Sequence, residues 1–450
     1  MGLSPDIKPF IRKQYAEAFV RPEDAPDLQL VVTDCMYTLY QFTSQAGELA
    51  TGEDLVDFFF DQATRLMLGA GSVVVFCFDC PQHVPNAKSN TQAKRRRQTQ
   101  AQELTVSEIS DSALHAPYWL ALTKTVHRNA IIEYVIAGIH RRARAAIGDW
   151  HVRAFQVVTQ WHDVRVTASP AVPTESVQQL TSLPVEMGEA DVAVAFWVRH
   201  FDNLSALVRV QDSDHIMILL LNLDRLKPGV PRFLWHVSLT GHLSAETCSA
   251  PACPGRGRAA DSCALLGRGR FDLIDLARLA AGVAADYVSV DTFALLVIMQ
   301  KTDFVDKLIA FSNVENVLRQ AQFMIRNHAP LRQRPLLERD PVSGRTALCT
   351  ESLARLLQGL AAQFRGGTHP VPLRFGKKNT RVALHPAWET EAVRAHWNLA
   401  YWRAASDSHI LDPMLDPTRR DSDTGKFVHG WDENGQPVHD KACLENPLHA

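Results

Sequence analysis

Residues 28–34, Leu-Gln-Leu-Val-Val-Thr-Asp, and residues 72–79, Ser-Val-Val-Val-Phe-Cys-Phe-Asp, decide the fold class of this chain. Both are short apolar runs that end in an aspartate. Between them, residues 55–68 place apolar side chains at helical spacing. Strand, helix and strand in this order, with strands that are apolar almost throughout, indicate a parallel sheet covered on both faces. The pattern therefore predicts an α/β fold, with a twisted, mostly parallel sheet flanked by helices.

Other segments extend this prediction along the chain. Residues 206–212 and 215–221 are apolar runs that we predict as two more strands, and residues 91–147 have a mainly helical pattern. Residues 163–187 are rich in Thr, Ser, Pro and Val, which predicts a loop or an irregular insertion. Aromatic residues at helical spacing between 396 and 403 predict a helix that packs against the rest of the protein.

Composition sets limits on the function. The chain has 450 residues, 46% of them hydrophobic, and a net charge of −2, so any nucleic-acid binding must use local basic patches. No run approaches the ~20 apolar residues needed to cross a bilayer, and the first residues do not resemble a secretory signal. Eight scattered cysteines suit a reducing compartment. We expect a soluble, intracellular monomer that does not bind membranes; nucleus or cytoplasm, and host or viral origin, stay open.

Acidic residues recur where these elements end or begin. They are Asp34, Asp79, Glu189, Asp191, Asp212, Asp214 and Asp303. Open α/β sheets bind their ligands beyond the carboxyl ends of the strands, and Mg²⁺ and Mn²⁺ prefer oxygen ligands. The alternative is that these are ordinary helix caps and surface acids, as most of the 49 Asp and Glu residues must be. Their joint arrangement favours a site for divalent metal.

Five segments carry a family resemblance. They are Val-Thr-Asp-Cys-Met-Tyr-Thr-Leu-Tyr-Gln-Phe (32–42), Val-Phe-Cys-Phe-Asp (75–79), Gly-Glu-Ala-Asp-Val-Ala (188–193), Gln-Asp-Ser-Asp (211–214) and Phe-Ala-Leu-Leu-Val-Ile-Met-Gln-Lys-Thr-Asp-Phe (293–304). In this order they resemble the acidic motifs of the flap-endonuclease/XPG superfamily of 5′ nucleases, which has a PIN-like fold. The opening Met-Gly-Leu also resembles the start of family members.

The resemblance implies a nuclease that hydrolyses phosphodiester bonds by a two-metal-ion mechanism. Two Mg²⁺ or Mn²⁺ ions would be held by the seven acids named above. Lys88, together with Arg95 or Arg96, would contact the scissile phosphate; a solvated charged helix face or a nuclear-import signal is the alternative for this basic segment. The partner would be DNA or RNA, either a strand with a single-stranded 5′ portion or an mRNA.

The resemblance and the composition of the later segments together predict the domain organisation. Residues 1–320 would form the PIN-like nuclease core, with a helical arch at about 85–150 and a loop insertion at about 241–270, and residues 321–450 a C-terminal extension. The segment 107–147 ends in basic residues at the place where the family has an arch that threads or clamps a single strand. Basic side chains in such an arch would track the backbone without reading sequence.

The chain departs from the family pattern after the last motif. No glycine follows Asp303 where the family has a helix–hairpin–helix of the Gly-x-Gly type, and Lys301 and Thr302 stand where a Gly is usual. These departures leave three hypotheses: a 5′ nuclease on DNA, a ribonuclease, or a catalytically silent nucleic-acid-binding or structural protein that retains the fold. Endonuclease and exonuclease action also stay open.

Overall fold

The computed structural model describes thirteen parts of the chain. They are residues 7–21, 24–25, 28–39, 52–64, 72–80, 125–145, 155–168, 190–236, 272–300, 302, 314–339, 346–364 and 388–403.

The helices and strands of these parts alternate along most of the chain. The strands are β1 (Phe19–Val20), β2 (Leu30–Asp34), β3 (Ser72–Cys77), β4 (Phe155–Gln160), β5 (Val164–Ala168), β6 (Ala206–Val210), β7 (Arg232–His236), β8 (Leu273–Asp275), β9 (Leu337–Arg339) and β10 (Thr346–Leu348). The helices are α1 (Ile7–Gln14), α2 (Gly52–Thr64), α3 (Thr125–Ala145), α4 (Ala190–His200), α5 (Asp214–Asn222), α6 (Leu276–Tyr287), α7 (Val290–Ile298), α8 (Val314–Asn327), α9 (Ala329–Gln333), α10 (Thr350–Phe364) and α11 (Trp388–Arg403).

The described strands form an eight-stranded sheet in the order β1-β8-β7-β6-β2-β3-β4-β5, and β9 and β10 form a separate hairpin. The five central strands, from β7 to β4, run parallel to one another. Strands β5, β8 and β1 pair antiparallel at the two edges. The predicted α/β fold with a mostly parallel sheet flanked by helices is thus confirmed.

Both faces of the sheet are covered by apolar side chains, as its uninterrupted apolar strands require. On one face, α2 and α3 contribute to a buried cluster with the sheet that includes Phe59, Phe76 and Ile132. On the other face, a second cluster joins α1, α4 to α8, α10 and α11. Successive residues of one strand point into opposite clusters, Leu207 into the first and Val208 into the second.

Two predictions about secondary structure are wrong. Residues 215–221, predicted as a strand, belong to helix α5, in which every residue is buried. An apolar run of this length is not distinguished from a strand by periodicity when all sides are buried. The segment 163–187, predicted as loop or irregular insertion, contains β5, which pairs with β4 along its whole length. Its residues 169–187 lie outside the described parts.

Helix α3 lies in the segment predicted as the helical arch. Its apolar residues pack in the cluster with α2, and its Arg141 and Arg142 bind Glu53 of α2 at 2.6 and 3.0 Å. Arg142 also binds Asp57 at 2.7 Å. These two arginines are therefore paired with carboxylates of α2. Residues 81–124 and 146–154 lie outside the described parts, so the arch as a whole stays a prediction.

The described part of the predicted C-terminal extension packs on the core. The predicted boundary after residue 320 falls within α8, whose Leu318 and Ala321 belong to one buried cluster. That cluster also contains Leu356 of α10 and Trp402 of α11. The division into two parts stays a prediction, as does the loop insertion at 241–270, which lies outside the described residues.

Among the described helices, none alone has both the length and the apolar character to cross a membrane. The consecutive helices α6 and α7 have the required length and apolar character only when they are taken together, and they are bent by 82° relative to each other.

His140 predicts a pH dependence of stability. This side chain of α3 is buried, and its two ring nitrogens bond to the hydroxyls of Thr167 and Thr159. Burial, aided by nearby arginines, lowers the pKa of His140 to about 4, whereas the unfolded chain protonates near 6.5. The unfolded chain therefore binds more protons between these values, and stability falls as the pH drops from about 6.5 towards 4.

The substitution His140→Leu should make the free energy of unfolding less dependent on pH between about 6.5 and 4. The variant loses about 1–3 kcal/mol at pH 7 because two hydroxyls lose their partner, but distinctly less at pH 4.5, where the wild-type protein must hold the imidazole neutral. Urea unfolding of both proteins at the two pH values measures the difference. An equal loss of unfolding free energy at both pH values would contradict this role of His140.

Candidate metal centre

The acids that follow the central strands meet at one edge of the sheet. Strand β2 ends at Asp34, β3 is followed by Asp79, and β6 by Asp212. These three strands are neighbours in the order β6-β2-β3 and run parallel, so their carboxyl ends lie side by side. The chain leaves β2 towards β3 and β4 and later returns to β6 on the other side. The acids thus lie at the topological switch point, where open α/β sheets bind ligands.

Asp34 is at the centre of this edge and is 8% exposed. Its Oδ1 accepts a hydrogen bond from the backbone N–H of Met36 at 2.9 Å, in the helical turn formed by residues 35–39. Oδ2 remains directed towards His215, whose Nε2 is 3.8 Å away. The strand and the turn that follows it therefore fix the Asp34 carboxylate with one oxygen facing the cluster.

Asp79 positions helix α4, which carries Asp191. Its Oδ1 accepts a hydrogen bond from the backbone N–H of Ala190, the first residue of α4, at 3.0 Å. The first N–H groups of a helix have no partner within the helix, and a carboxylate there also interacts favourably with the helix dipole. Asp191 follows in the same first turn, so this hydrogen bond fixes the turn that carries Asp191 at the end of β3.

His215 completes the cluster from the first turn of α5. Its side chain is fully buried, and its Nε2 lies 3.2 Å from Oδ1 of Asp191. Neither ring nitrogen makes a hydrogen bond within the described parts of the chain. Ligand atoms of Asp34, Asp191 and His215 all lie within 4.8 Å of one another. Donors at about 2.0–2.2 Å from one ion are separated by about 3–4 Å, so this cluster can hold a metal ion.

The electrostatics of the cluster favour a cation. Burial, together with the charges of Asp191 and Asp79, raises the pKa of Asp34 to about 7, although the nearby His215 opposes this effect. Arg209 of β6 lies behind the cluster, where it donates to the hydroxyl of Thr38 and its guanidinium carbon lies 5.3 Å from the ring centre of Trp235. Carboxylates that share a buried site repel one another, and a bound cation would relieve that repulsion.

Lys8 of α1 lies close enough to Asp212 and Asp214 to interact with their charges. It donates to the backbone carbonyl of Gln211 at 3.1 Å, and the charges of Asp212 and Asp214 favour its protonated form, although burial lowers its pKa. Asp212 is exposed and accepts from the backbone N–H of Ser213 at 2.7 Å. Asp214, at the start of α5, is 8% exposed. A lysine from the first helix thus offsets part of the charge at this side of the edge.

The structure brings some of the predicted site residues together. Asp34 and Asp191 lie in one cluster, and Asp79 holds the helix that carries Asp191. Asp212 and Asp214 lie at the same sheet edge beside Lys8. Glu189, Asp303, Lys88, Arg95 and Arg96 lie outside the described residues. The assignment of these ten residues as metal ligands or phosphate contacts stays a prediction.

Two residues of the site were not predicted from the sequence. His215 was predicted to lie in a strand, and this assignment does not bring it close to Asp34. A helix predicted to begin at Asp214 would have indicated that His215 lies in its first turn, beside the acids. Lys8 lies in a short amphipathic segment far from the acids in sequence, and it carries no signal of this location.

Comparisons with known proteins add little to this geometry. No protein-family model matches the chain, and no curated protein matches it in sequence. Among solved structures, the chain is similar to the catalytic core of Rad2 in complex with a DNA substrate, with 12% identity and a TM-score of 0.31 over 81% of this chain and 89% of that one. A similarity this low leaves the site to be judged from its own residues.

Proposed function

We propose that this protein is a divalent-metal-dependent nuclease of the 5′ nuclease type, acting on DNA or RNA. One observation carries the proposal: ligand atoms of Asp34, Asp191 and His215 converge within 4.8 Å at the carboxyl ends of parallel strands. It is supported by the five acidic segments, whose order along the chain resembles that of the flap-endonuclease/XPG superfamily. The ring nitrogens of His215, which form no hydrogen bond within the described parts of the chain, fit a site that receives a cation.

The proposed site would hold two Mg²⁺ or Mn²⁺ ions. Asp34, Asp191 and His215 would hold one of them, and the acids at the neighbouring strand ends, Asp212 and Asp214, stand at the same edge for a second. Glu189 and Asp303 complete the proposed ligand set. Ions bound in this way lower the pKa of a water nucleophile and stabilise the charge on the leaving oxygen.

The chain's own residues would position the substrate and balance charge. Lys88 with Arg95 or Arg96 would neutralise the phosphate, because arginine can bind two phosphate oxygens at once. Lys8 lies beside Asp212 and Asp214 and would keep their charges from repelling a phosphate. Asp79 keeps the first turn of α4, and with it Asp191, in place. No side-chain nucleophile is required.

A cleavage assay with a panel of substrates tests the proposal. The full chain is incubated with a 5′-labelled DNA flap, a single-stranded DNA and a single-stranded RNA, each with Mg²⁺, Mn²⁺ or EDTA. We expect cleavage of at least one substrate with a metal and none with EDTA. Competition between the DNA and RNA substrates in one reaction then shows which of the two nucleic acids the protein prefers.

Binding without cleavage would overturn the proposal. If a gel-shift assay shows that the chain binds these nucleic acids, yet no product forms with either metal, the chain is the catalytically silent binder that the sequence left as an alternative. Cleavage that persists in EDTA would equally contradict a metal-dependent mechanism.

A further inference from the structure

One member of the cluster differs chemically from the others. Every acid offers oxygen, whereas His215 offers nitrogen, and its imidazole is fully buried among carboxylates. Its Nε2 lies 3.2 Å from Asp191 and 3.8 Å from Asp34. A buried imidazole with neither nitrogen hydrogen-bonded loses the free energy of both hydrogen bonds on folding. In its neutral form, Nε2 can donate its lone pair to a cation that the two neighbouring carboxylates also bind.

We propose that His215 Nε2 ligates a divalent ion together with Asp34 and Asp191, and that this nitrogen makes the site select Mn²⁺ over Mg²⁺. The inference rests on the proposed function only in that both require a metal at this cluster. Beyond the proposed function, the inference states that the site prefers Mn²⁺ and that the His215 side chain determines this preference.

The chemistry of the donors supports this selection. Mg²⁺ is a hard cation that dehydrates reluctantly and is bound in proteins by carboxylates and waters. Imidazole suits borderline ions, and affinities of mixed nitrogen and oxygen sites for divalent first-row metals begin with Mn²⁺ and increase through the series. Within one cluster, the two aspartates therefore accept either ion, whereas the histidine contributes binding energy mainly to Mn²⁺.

A simple ion pair between His215 and Asp191 is the competing explanation. It accounts for the 3.2 Å approach to Asp191 and for the 3.8 Å approach to Asp34, but a single proton on Nε2 can form a hydrogen bond with only one of the two carboxylates at these distances. Asp34 is buried, and its second oxygen faces the same nitrogen, which forms no hydrogen bond within the described parts of the chain. A metal ion at the point that the two carboxylates and the imidazole share would satisfy all three groups at once.

Pulsed electron paramagnetic resonance of bound Mn²⁺ tests the inference in the absence of nucleic acid. One equivalent of Mn²⁺ is added to the full chain, and coupling to a directly bound ¹⁴N nucleus is measured. Competition with Mg²⁺ gives the preference between the two ions. His215→Leu removes the nitrogen with little change in volume, and His140→Leu is the matched control, because it removes another buried imidazole, one that is bound to two threonines.

The expected result has three parts. The wild-type protein and His140→Leu show the nitrogen coupling, and His215→Leu does not. The affinity of His215→Leu for Mn²⁺ falls by at least about 10- to 100-fold, the loss that is typical when a residue supporting a metal ligand is removed, whereas its affinity for Mg²⁺ changes little. Should His215→Leu fail to fold, as judged by circular dichroism, His215→Asn replaces it.

Absence of nitrogen coupling in the wild-type protein would overturn the inference, as would coupling that survives in His215→Leu or an equal loss of affinity for both ions. These readouts need no cleavage. A chain that binds Mn²⁺ through His215 but cuts no substrate would refute the proposed function and leave this inference standing.

Discussion

The Asp34→Asn variant is expected to lose nuclease activity by about 10³-fold or more while it still binds nucleic acid. Asp34 is the most buried acid of the metal cluster, and its ligand atom lies within 4.8 Å of those of Asp191 and His215. An amide has the same shape but no charge, so the cluster would lose one of its two carboxylates. Cleavage rates with saturating Mn²⁺ and substrate binding by gel shift are measured in parallel.

Asp202→Asn is the matched control for this variant. Asp202 follows α4, at the opposite end of the helix from Asp191, and the same charge is removed there. Asp202 is half-buried beside Arg232, whose guanidinium bonds to the Asp202 backbone carbonyl, and the asparagine variant keeps this bond. We expect its cleavage rate to stay within about twofold of wild type, because Asp202 lies away from the metal cluster. If activity survives in Asp34→Asn, or if both variants lose it to the same extent, the metal cluster is not the site of cleavage.

The second large effect is expected from Trp197→Ala, which should lower the free energy of unfolding by about 3–5 kcal/mol. Trp197 is 1% exposed on α4 and packs against Phe196 and Phe201. Its indole N–H donates to the side-chain oxygen of Gln160 in β4. Since a domain has only about 5–15 kcal/mol of stability, this loss is large, and chemical unfolding measures it.

Helix α4 also carries Asp191, so the same substitution should weaken the metal site. We expect a lower Mn²⁺ affinity in Trp197→Ala even at temperatures where the variant is folded. Trp197→Phe keeps an aromatic ring but removes the donor to Gln160, and its cost should be smaller, about 1–3 kcal/mol. If the alanine variant is as stable as the phenylalanine variant, the packing of Trp197 does not hold α4 on the sheet.

The central sheet could be predicted because its strands are apolar almost throughout, which indicates burial of both faces of the sheet. The apolar runs ending in Asp34 and Asp79 can be buried throughout only inside a sheet that helices cover on both sides. Once β2, β3 and β6 are parallel neighbours, their acids must lie at one edge.

Other parts of the site could not be predicted, for identifiable physical reasons. Helix α5 is buried on all sides, so its sequence lacks the polar face that reveals a helix. The consequence was that His215 was assigned to a strand. Lys8 approaches Asp212 and Asp214 from the first helix, far away in sequence, and only the packing of α1 on the sheet reveals this contact. Long-range contacts of this kind leave no local pattern.

The most direct test of the account is the location of Mn²⁺ by anomalous X-ray diffraction from crystals of the full chain grown with this ion. The account predicts a peak in coordination distance of Asp34, Asp191 and His215 Nε2, with a second peak about 3.5–4 Å from it towards the end of β6. Crystals in which Mn²⁺ occupies other positions while this cluster stays without a peak would contradict the account.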